Sequence, residues 1–354
     1  MSEHDEHVRV ERAVHDAFGP DVCITDTTAL HGDASSRRYL RLSLTGTAPA
    51  RVVVMILGEG RFTGGSDELG ADAMATELPF VNVARWLTAH GFAVPAIHLD
   101  RAREDGLLLL EDVGDTTLWT AVAADATCTR PLFAQAVDLL ARLQVIGATA
   151  DRECVAFGRR FDETLARAEL AHYVDHGIET RHGVTLPPAE RARLLAQLEP
   201  VVGPFRDGPF ALAHRDYMAW NIHVSDRGLV LIDFQDALMA PDAFDLAQLL
   251  TDRTTVERVD ARLEAELVAR FERARRTAGH PVPAGFADRY RRCALQHVFK
   301  VIGRFHLLEM VKRKPGYLAY LPAVHAVGRH MLRALPDLAP AIPTLVRWTP
   351  ELQP

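Results

Sequence analysis

The hydrophobic pattern of this 354-residue sequence changes character shortly after residue 110. Before that point, alternating or β-branched segments predict strands at Tyr39–Leu44, Arg51–Leu57, Val94–Leu99 and Gly106–Glu111. Helical spacing is confined to Val8–Phe18 and Leu78–His90, and Gly58–Gly70 is typical of a loop. The pattern predicts an α+β protein with a β-rich N-terminal region, residues 1–112.

The remaining region, residues 113–354, is predicted to be mainly helical because apolar residues recur there at helical spacing. The predicted helices are Pro131–Ile146, Phe161–His176, Pro188–Leu198, Asp245–Leu250, Val256–Ala278 and Ala294–Met310. Two short apolar segments, Pro209–Leu212 and Leu229–Phe234, flank a polar loop, and the second is predicted to be a strand.

Charge and composition narrow the class of partner. The net charge of −7 argues against nucleic acid or an anionic membrane as the main partner, because both favour a basic surface. The longest apolar runs are too short to cross a bilayer, and the N-terminus lacks a signal-peptide pattern. Four scattered cysteines without a C-x-x-C pair fit a reducing compartment. These features fit a cytoplasmic protein. We also expect the protein to act as a monomer.

The polar loop carries the most informative motif, His214-Arg215-Asp216 followed by Asn221, with Asp233 at the end of the next apolar strand. This spacing is typical of enzymes that transfer a phosphoryl group. Such a reaction needs one carboxylate beside the attacking hydroxyl, and Asp216 is the candidate. It also needs hard oxygen ligands for Mg²⁺, which Asn221 and Asp233 can provide. The alternative is that Asp216 caps a loop and Asp233 merely ends a strand.

The motif and several other segments resemble the aminoglycoside phosphotransferase/choline kinase group. The segments are His214–Asn221, Ile232–Ala237 and Pro241–Leu250, and the match extends to Gly32–Arg41, Leu110–Asp115, Lys300–Gly303 and Lys314–Leu318. The resemblance implies a two-lobed protein-kinase-like fold, with a small β-rich N-lobe and a larger helical C-lobe. The terminal segments are most similar to the branch that phosphorylates the anomeric hydroxyl of N-acetylmuramate or N-acetylglucosamine in bacterial cell-wall recycling. ATP and Mg²⁺ are the implied cofactors.

On the nucleotide side, the resemblance makes Ala34, Ser35 and Ser36 candidates for a phosphate-binding loop; a simple hairpin turn is the alternative. Met55 stands about where most relatives have a lysine. Arg37, Arg38 or Arg41 could supply the missing charge, and Arg38 is preferred over Arg41. The backbones of Glu111 and Val113 fall where kinases bind adenine.

The residues predicted to contact a sugar are Asp216, Tyr217, Asp236, Glu169 and Arg304. The alternative for Tyr217, Glu169 and Arg304 is a core or surface role, and the alternative for Asp236 is that it holds Arg215. His214, Arg215 and Asp245 are assigned to structural support. Asp245 is expected to hold the motif loop through backbone N–H groups, because its position resembles the buried helix aspartate of kinase-like folds.

Three further alternatives remain open from the sequence. The acceptor could be an aminoglycoside or another small alcohol. The chain could also be a nucleotide-binding scaffold without catalysis, since the strand lysine is missing. Lys312–Lys314 could attract a substrate carboxylate or simply be solvated.

Overall fold

The computed structural model describes residues 3–30, 37–46, 49–58 and 77–354. The chain divides into two compact units. Unit 1 comprises Met1–Asp115 together with His223–Asp236, and unit 2 comprises Thr116–Ile222 together with Ala237–Pro354. The first division follows Asp115 instead of the predicted Asp112, and the segment that contains Asp233 belongs to unit 1.

Unit 1 is built on a five-stranded antiparallel sheet with the order β1-β2-β3-β5-β4. The strands are β1 (Cys23–Leu30), β2 (Arg38–Thr45), β3 (Arg51–Ile56), β4 (Ile97–Arg101) and β5 (Leu107–Glu111). Two helices accompany them, α1 (Glu3–Phe18) and α2 (Pro79–Ala89). Val10, Ala13 and Val14 of α1 pack on one face of the sheet, which fixes the inward residues of each strand.

Strand β1 was not predicted, whereas the other four strands and both helices of this unit are confirmed within a few residues. Most side chains of β1 are exposed, so this edge strand lacks the apolar alternation that marks a half-buried strand. Most of the predicted loop Gly58–Gly70 lies outside the described residues.

A hairpin formed by β7 (Ile222–Ser225) and β8 (Gly228–Leu231) leads to Asp233. The N–H of Leu231 donates to the carbonyl oxygen of Ala93 at 2.9 Å. Beyond the hairpin, the ring of Phe234 lies 4.9 Å from that of Phe80 on α2. The hairpin is thus attached to the N-terminal sheet unit through backbone and aromatic contacts.

Unit 2 is mostly helical. Its α-helices are α3 (Leu118–Ala124), α4 (Thr129–Thr149), α5 (Glu163–His172), α6 (Pro188–Asp207), α7 (Phe244–Thr251), α8 (Ala261–Thr277), α9 (Phe286–His306), α10 (Leu321–Ala334) and α11 (Ile342–Trp348). Tyr173–Thr180 and Leu307–Val311 are π-helical. Strands β6 (Phe210–Ala213) and β9 (Leu238–Pro241) pair antiparallel.

Helix α6 differs most from its prediction, because it continues past Leu198 through two prolines, Pro200 and Pro204. Proline removes a helical hydrogen bond and normally ends or kinks a helix. Here Val201, Val202 and Phe205 extend the buried apolar face, so tertiary packing outweighs the local cost.

The segment Ala126–Thr149 is long and apolar enough to span a membrane by length and hydropathy alone. In the structure, however, α4 packs against α8 and β6 within unit 2. The fit to β6 is close: a Cβ atom on Gly147 would lie 2.6 Å from Cβ of Leu212. Packing inside unit 2 therefore accounts for the apolar character of α4.

Candidate active site

The loop His214–Asn221, called here the HRD loop, is fixed to unit 2 by the carboxylate of Asp245. One carboxylate oxygen accepts the N–H of His214 at 2.6 Å, and the other accepts the N–H of Arg215 at 3.1 Å. Asp245 lies in the first turn of α7 and is fully buried. A buried carboxylate with two N–H donors holds a loop in one conformation.

The backbone of the HRD loop is strained at Arg215, where φ is +78°. A non-glycine residue with this φ needs support from its surroundings. Asp245 gives that support, although its burial raises its pKa to about 7 despite the two N–H donors. Gln248, one turn along α7, accepts the N–H of Tyr217 at 3.2 Å. Gln248 was not predicted from the sequence, although its position three residues after Asp245 was a usable signal.

Asp216 and Asn221 lie on this loop and are both half-buried. The side-chain amide of Asn221 donates to the backbone oxygen of Asp216 at 2.9 Å. That bond uses the amide nitrogen and leaves the amide oxygen for another partner. The loop therefore presents one carboxylate and one amide oxygen from a braced backbone.

Tyr217 does not fit its predicted substrate-binding role. Its side chain is fully buried, and its hydroxyl donates to the carbonyl oxygen of Ala136 on α4 at 2.8 Å. Burial also raises the pKa of this phenol well above its ordinary value. Because the ring packs in the core of unit 2, the prediction that Tyr217 contacts a sugar is corrected: the residue anchors the HRD loop.

Asp233 lies in unit 1, two residues after β8, with φ of +61°. The left-handed conformation is one that aspartate adopts more readily than most residues. Gln235 donates its side-chain amide to one carboxylate oxygen at 2.9 Å. Asp233 also faces Tyr39 of β2 closely enough to raise the pKa of that phenol, although burial is the larger cause.

Because successive residues of a strand point to opposite faces, the predicted arginines in and next to β2 lie on two different faces of the sheet. Arg38 pairs with Ile56 of β3, whose side chain belongs to the core that packs against α1. Its guanidinium contacts Glu6 of α1, so Arg38 lies on the α1 face of the sheet. Tyr39 instead pairs with Met55, so Tyr39, Met55 and Arg37 share the opposite face. The side chain of Arg37 hydrogen-bonds to Tyr39. Orientation therefore favours Arg37 over Arg38 as the cation near Asp233.

Arg41, the other predicted replacement for lysine, braces the segment after β5. Its guanidinium contacts the carboxylates of Asp112, at 2.9 Å, and Asp115, at 2.8 Å. The same two carboxylates keep the pKa of Arg41 raised, with the Asp115 bond as the largest cause. The charge of Arg41 is thus matched within unit 1, which leaves it a structural role.

The predicted adenine-binding segment, Glu111–Val113, continues from β5. Its backbone is ordered by neighbours: the N–H of Glu111 donates to Ala96 at 2.8 Å, and the Glu111 side chain accepts from Arg227 of the β7–β8 hairpin at 2.7 Å. These contacts order the segment whose backbone is predicted to bind adenine. The candidate phosphate-loop residues Ala34, Ser35 and Ser36 lie outside the described residues.

The other predicted substrate residues occupy separate positions. Glu169 of α5 is almost fully buried and accepts from Gln296 and from Lys300, whose Nζ lies 3.1 Å away. Arg304, on α9 in unit 2, is half-buried. Asp236, in unit 1, is buried beside Gln235 at 3.4 Å. The sugar contacts of these three residues remain predictions.

Asn221 and Asp233 meet the chemical requirements of a magnesium ligand, since each keeps one oxygen that its own side-chain neighbour does not use. No group of three or more histidine, cysteine or acidic side chains that could hold a metal ion occurs among the described residues. Such a cluster is unnecessary, because protein sites for Mg²⁺ usually supply one or two ligands and leave the others to phosphates and water.

Comparison with known proteins agrees with this chemistry. The Phosphotransferase enzyme family matches residues 26–286. The N-acetylmuramate/N-acetylglucosamine kinase of Pseudomonas putida is 29% identical, with 96% of each chain covered. That of Pseudomonas aeruginosa is 31% identical over 74% of this chain and 75% of the relative.

Among solved structures, the ADP-bound aminoglycoside phosphotransferase APH(2'')-Ib is similar, with a TM-score of 0.57 and 12% identity. The alignment covers 92% of this chain and 97% of that one. The shared architecture is an N-terminal five-stranded antiparallel sheet followed by a largely helical remainder. The chain belongs to the Phosphotransferase enzyme family and is a kinase with the protein-kinase-like fold of that family.

Proposed function

We propose that this kinase transfers the γ-phosphoryl group of ATP to the anomeric hydroxyl of N-acetylmuramate or N-acetylglucosamine. The observation that carries the proposal is the HRD loop, in which Asp245 holds a strained backbone so that Asp216 and Asn221 keep fixed positions. The amino-sugar acceptor is supported by the curated relatives, which are named for these two substrates.

Asp216 is the proposed base. It orients the acceptor hydroxyl towards the γ-phosphorus. The bond from the hydroxyl oxygen to phosphorus forms as the bond from phosphorus to the β–γ bridging oxygen breaks, ADP leaves, and Asp216 accepts the hydroxyl proton. Asp216 need not be strongly basic, because the transition state of phosphoryl transfer is loose and depends mainly on positioning and charge neutralisation. Proton transfer to Asp216 then follows late in the reaction.

Asn221 and Asp233 are the proposed ligands for Mg²⁺, through the oxygens that their neighbours leave unused. When bound, the metal would neutralise the negative charge of the nucleotide phosphates. Arg37 is the proposed cation that takes the role of the missing strand lysine, because it lies on the Met55 face of β2. The Glu111 carbonyl and the Val113 N–H are proposed to bind adenine.

An acceptor panel with ATP tests the substrate. ADP formation would be followed with N-acetylmuramate, N-acetylglucosamine, kanamycin and choline, and ³¹P NMR would locate the phosphate on the product. We expect turnover with the amino sugars and an anomeric α-1-phosphate. Turnover with kanamycin or choline alone would contradict the assignment and favour an acceptor of another class.

Asp216→Asn tests catalysis itself. The variant keeps the size and hydrogen-bonding capacity of the side chain but removes the base, so kcat should fall by about 10²- to 10⁴-fold. The Kd for ADP, measured by calorimetry, should stay within about twofold. Turnover near the wild-type rate would refute the role of Asp216, and undetectable turnover in the wild type with tight ADP binding would support a non-catalytic scaffold.

We further propose that the kinase works in the cytoplasm as a monomer. The described cysteines are all free thiols, as a reducing compartment would keep them. Fractionation of cells and light scattering of the purified chain test the two statements. A secreted product or a stable dimer would contradict them.

A further inference from the structure

The second half of α9 carries basic side chains on a chain whose overall charge is −7. Lys300 and Arg304 lie one turn apart on this helix, and Arg253 lies beside it, just after the end of α7. Lys300 pairs with the carboxylate of Glu169 at 3.1 Å. Among the described residues, Arg253 and Arg304 form no ion pair, although Asp252 precedes Arg253 in the chain. The local excess of positive charge within unit 2 favours an anionic ligand.

Aromatic rings fix the Arg253 guanidinium without neutralising it. Its central carbon lies 5.1 Å from the ring centroid of Phe305 and 4.9 Å from that of Tyr320. Its Nε atom is buried and has no hydrogen-bond partner among the described residues. Cation–π contacts orient a guanidinium while leaving its N–H groups for a ligand. The planar fork of these N–H groups matches a carboxylate.

His297 provides a second, independent sign of an incomplete polar site. Only 5% of this residue is exposed, and among the described residues neither ring nitrogen has a hydrogen-bond partner. Its pKa is lowered to about 4, first by burial and then by the charges of Lys300 and Arg253, while Asp252 opposes the shift. Lys300 and Arg253 therefore both lie close enough to His297 to affect its pKa, and the histidine stays neutral.

Helix α7 links this region to the HRD loop within unit 2. Asp245, in the first turn of α7, holds the loop, and Arg253 follows the last turn. Arg253 lies eight positions after Asp245, which corresponds to about 12 Å at a rise of 1.5 Å per residue. The long side chain of Arg253 and a sugar that carries a carboxylated substituent can together extend over this distance. Tyr320, which is 38% exposed, adds an aromatic surface of the kind that sugar rings contact.

We propose that Arg253 binds the lactyl carboxylate of N-acetylmuramate, assisted by the positive charge of Lys300, and so makes the kinase prefer this acidic sugar over neutral N-acetylglucosamine. The inference rests on the proposed function. It assigns Arg253 to specificity and leaves the chemistry of transfer to the HRD loop. The same site would disfavour polycationic aminoglycosides, because Arg253, Lys300 and Arg304 would repel them.

The test compares kcat/KM for three acceptors: N-acetylmuramate, its methyl ester and N-acetylglucosamine. The ester keeps the lactyl group but removes its charge. In Arg253→Gln, kcat/KM for N-acetylmuramate should fall by about 10- to 100-fold, the loss expected for hydrogen bonds to a charged group. The values for the ester and for N-acetylglucosamine should stay within about twofold. Arg253→Lys should restore part of the preference, because it keeps the charge but not the fork.

The matched control is Arg333→Gln, which removes an exposed arginine from α10. It should leave all three values unchanged. If Arg253→Gln lowers all acceptors equally, or leaves the ratio of the two sugars unchanged while N-acetylglucosamine is still phosphorylated, the inference is wrong and the proposed function stands. If the wild type phosphorylates neither sugar, the proposed function fails and the inference fails with it.

Discussion

Replacing one carboxylate oxygen of Asp245 should both lower the free energy of unfolding and release the HRD loop from its position. In Asp245→Asn, the amide oxygen can still accept one N–H, but the amide NH₂ faces the other. The loss of one bond to a buried carboxylate, with a donor left unpaired, should cost about 1.5–3 kcal/mol of unfolding free energy. Asp245→Ala loses both bonds, from His214 at 2.6 Å and Arg215 at 3.1 Å, and should cost about 3–6 kcal/mol.

Activity should fall further than stability alone explains. Arg215 keeps a φ of +78° only while its N–H is held, so the loop should relax in the variant. A displacement of about 1 Å at Asp216 is enough to lower kcat by about 100-fold. Urea unfolding at pH 8 and initial rates of ADP formation under conditions where the variant is folded measure the two effects separately.

The control is Asp288→Asn, since Asp288 also lies in the first turn of a helix but is exposed and pairs with Arg292. Exposed pairs contribute little, so its unfolding free energy should change by less than about 1 kcal/mol and kcat should be kept. The reasoning is refuted if Asp245→Asn behaves like this control in both assays.

Three other perturbations test the packing and titration of unit 2. Asp242 is 2% exposed and accepts from Nε and Nη2 of Arg289, each at 2.8 Å. Arg289→Gln leaves this carboxylate buried without its charged partner, and urea unfolding should show a loss of about 3–5 kcal/mol. Gly147→Ala places a Cβ 2.6 Å from that of Leu212 and should cost about 1–3 kcal/mol in the same assay. Burial lowers the pKa of His325 to about 4, so the protein takes up a proton at this residue when it unfolds between about pH 4 and 6.5. The free energy of unfolding should therefore fall by roughly 2 kcal/mol through His325 when the pH is lowered from 7 to 5. His325→Leu should reduce that loss.

For each of these three perturbations, a control variant or a specific result would contradict the expectation. Arg333→Gln, on the exposed side of α10, should cost little, and equal losses in the two arginine variants would contradict the buried-pair argument. Gly158→Ala, which meets nothing within 4 Å, should be nearly neutral; if Gly147→Ala is equally tolerated, helix α4 can move away from β6. An unchanged pH dependence in His325→Leu would show that the folded protein does not keep this imidazole neutral.

Local patterns predicted the elements that bury one regular face. The strand Arg51–Ile56 and the helix Pro79–Ala89 were predicted within one or two residues, because their apolar residues face a single core. Strand β1 was missed because its side chains are mostly exposed and its position is secured by backbone pairing with β2. The π-helical segment Tyr173–Thr180 was missed because no composition marks a π-helix.

Residue types and their spacing also indicated the chemistry, but not every contact. Tyr217 was assigned to a sugar because a tyrosine beside Asp216 suits a pocket as well as a core, and only the packing against α4 decides between them. From the sequence, Arg38 was preferred over Arg41 as the cation that replaces the lysine. The structure gives Arg38 a place opposite Ile56 of β3 and pairs Arg41 with the carboxylates of Asp112 and Asp115.

By itself, the sequence determined the α+β class, the change from strands to helices, and the candidate phosphoryl-transfer residues Asp216, Asn221 and Asp233. These features depend on neighbours a few positions apart, which a linear pattern records. Tertiary structure alone decided that Asp233 belongs with the N-terminal sheet unit and that Arg253 stands between two aromatic rings. Such contacts join residues distant along the chain, and the folded packing selects them from many partners that the sequence permits equally.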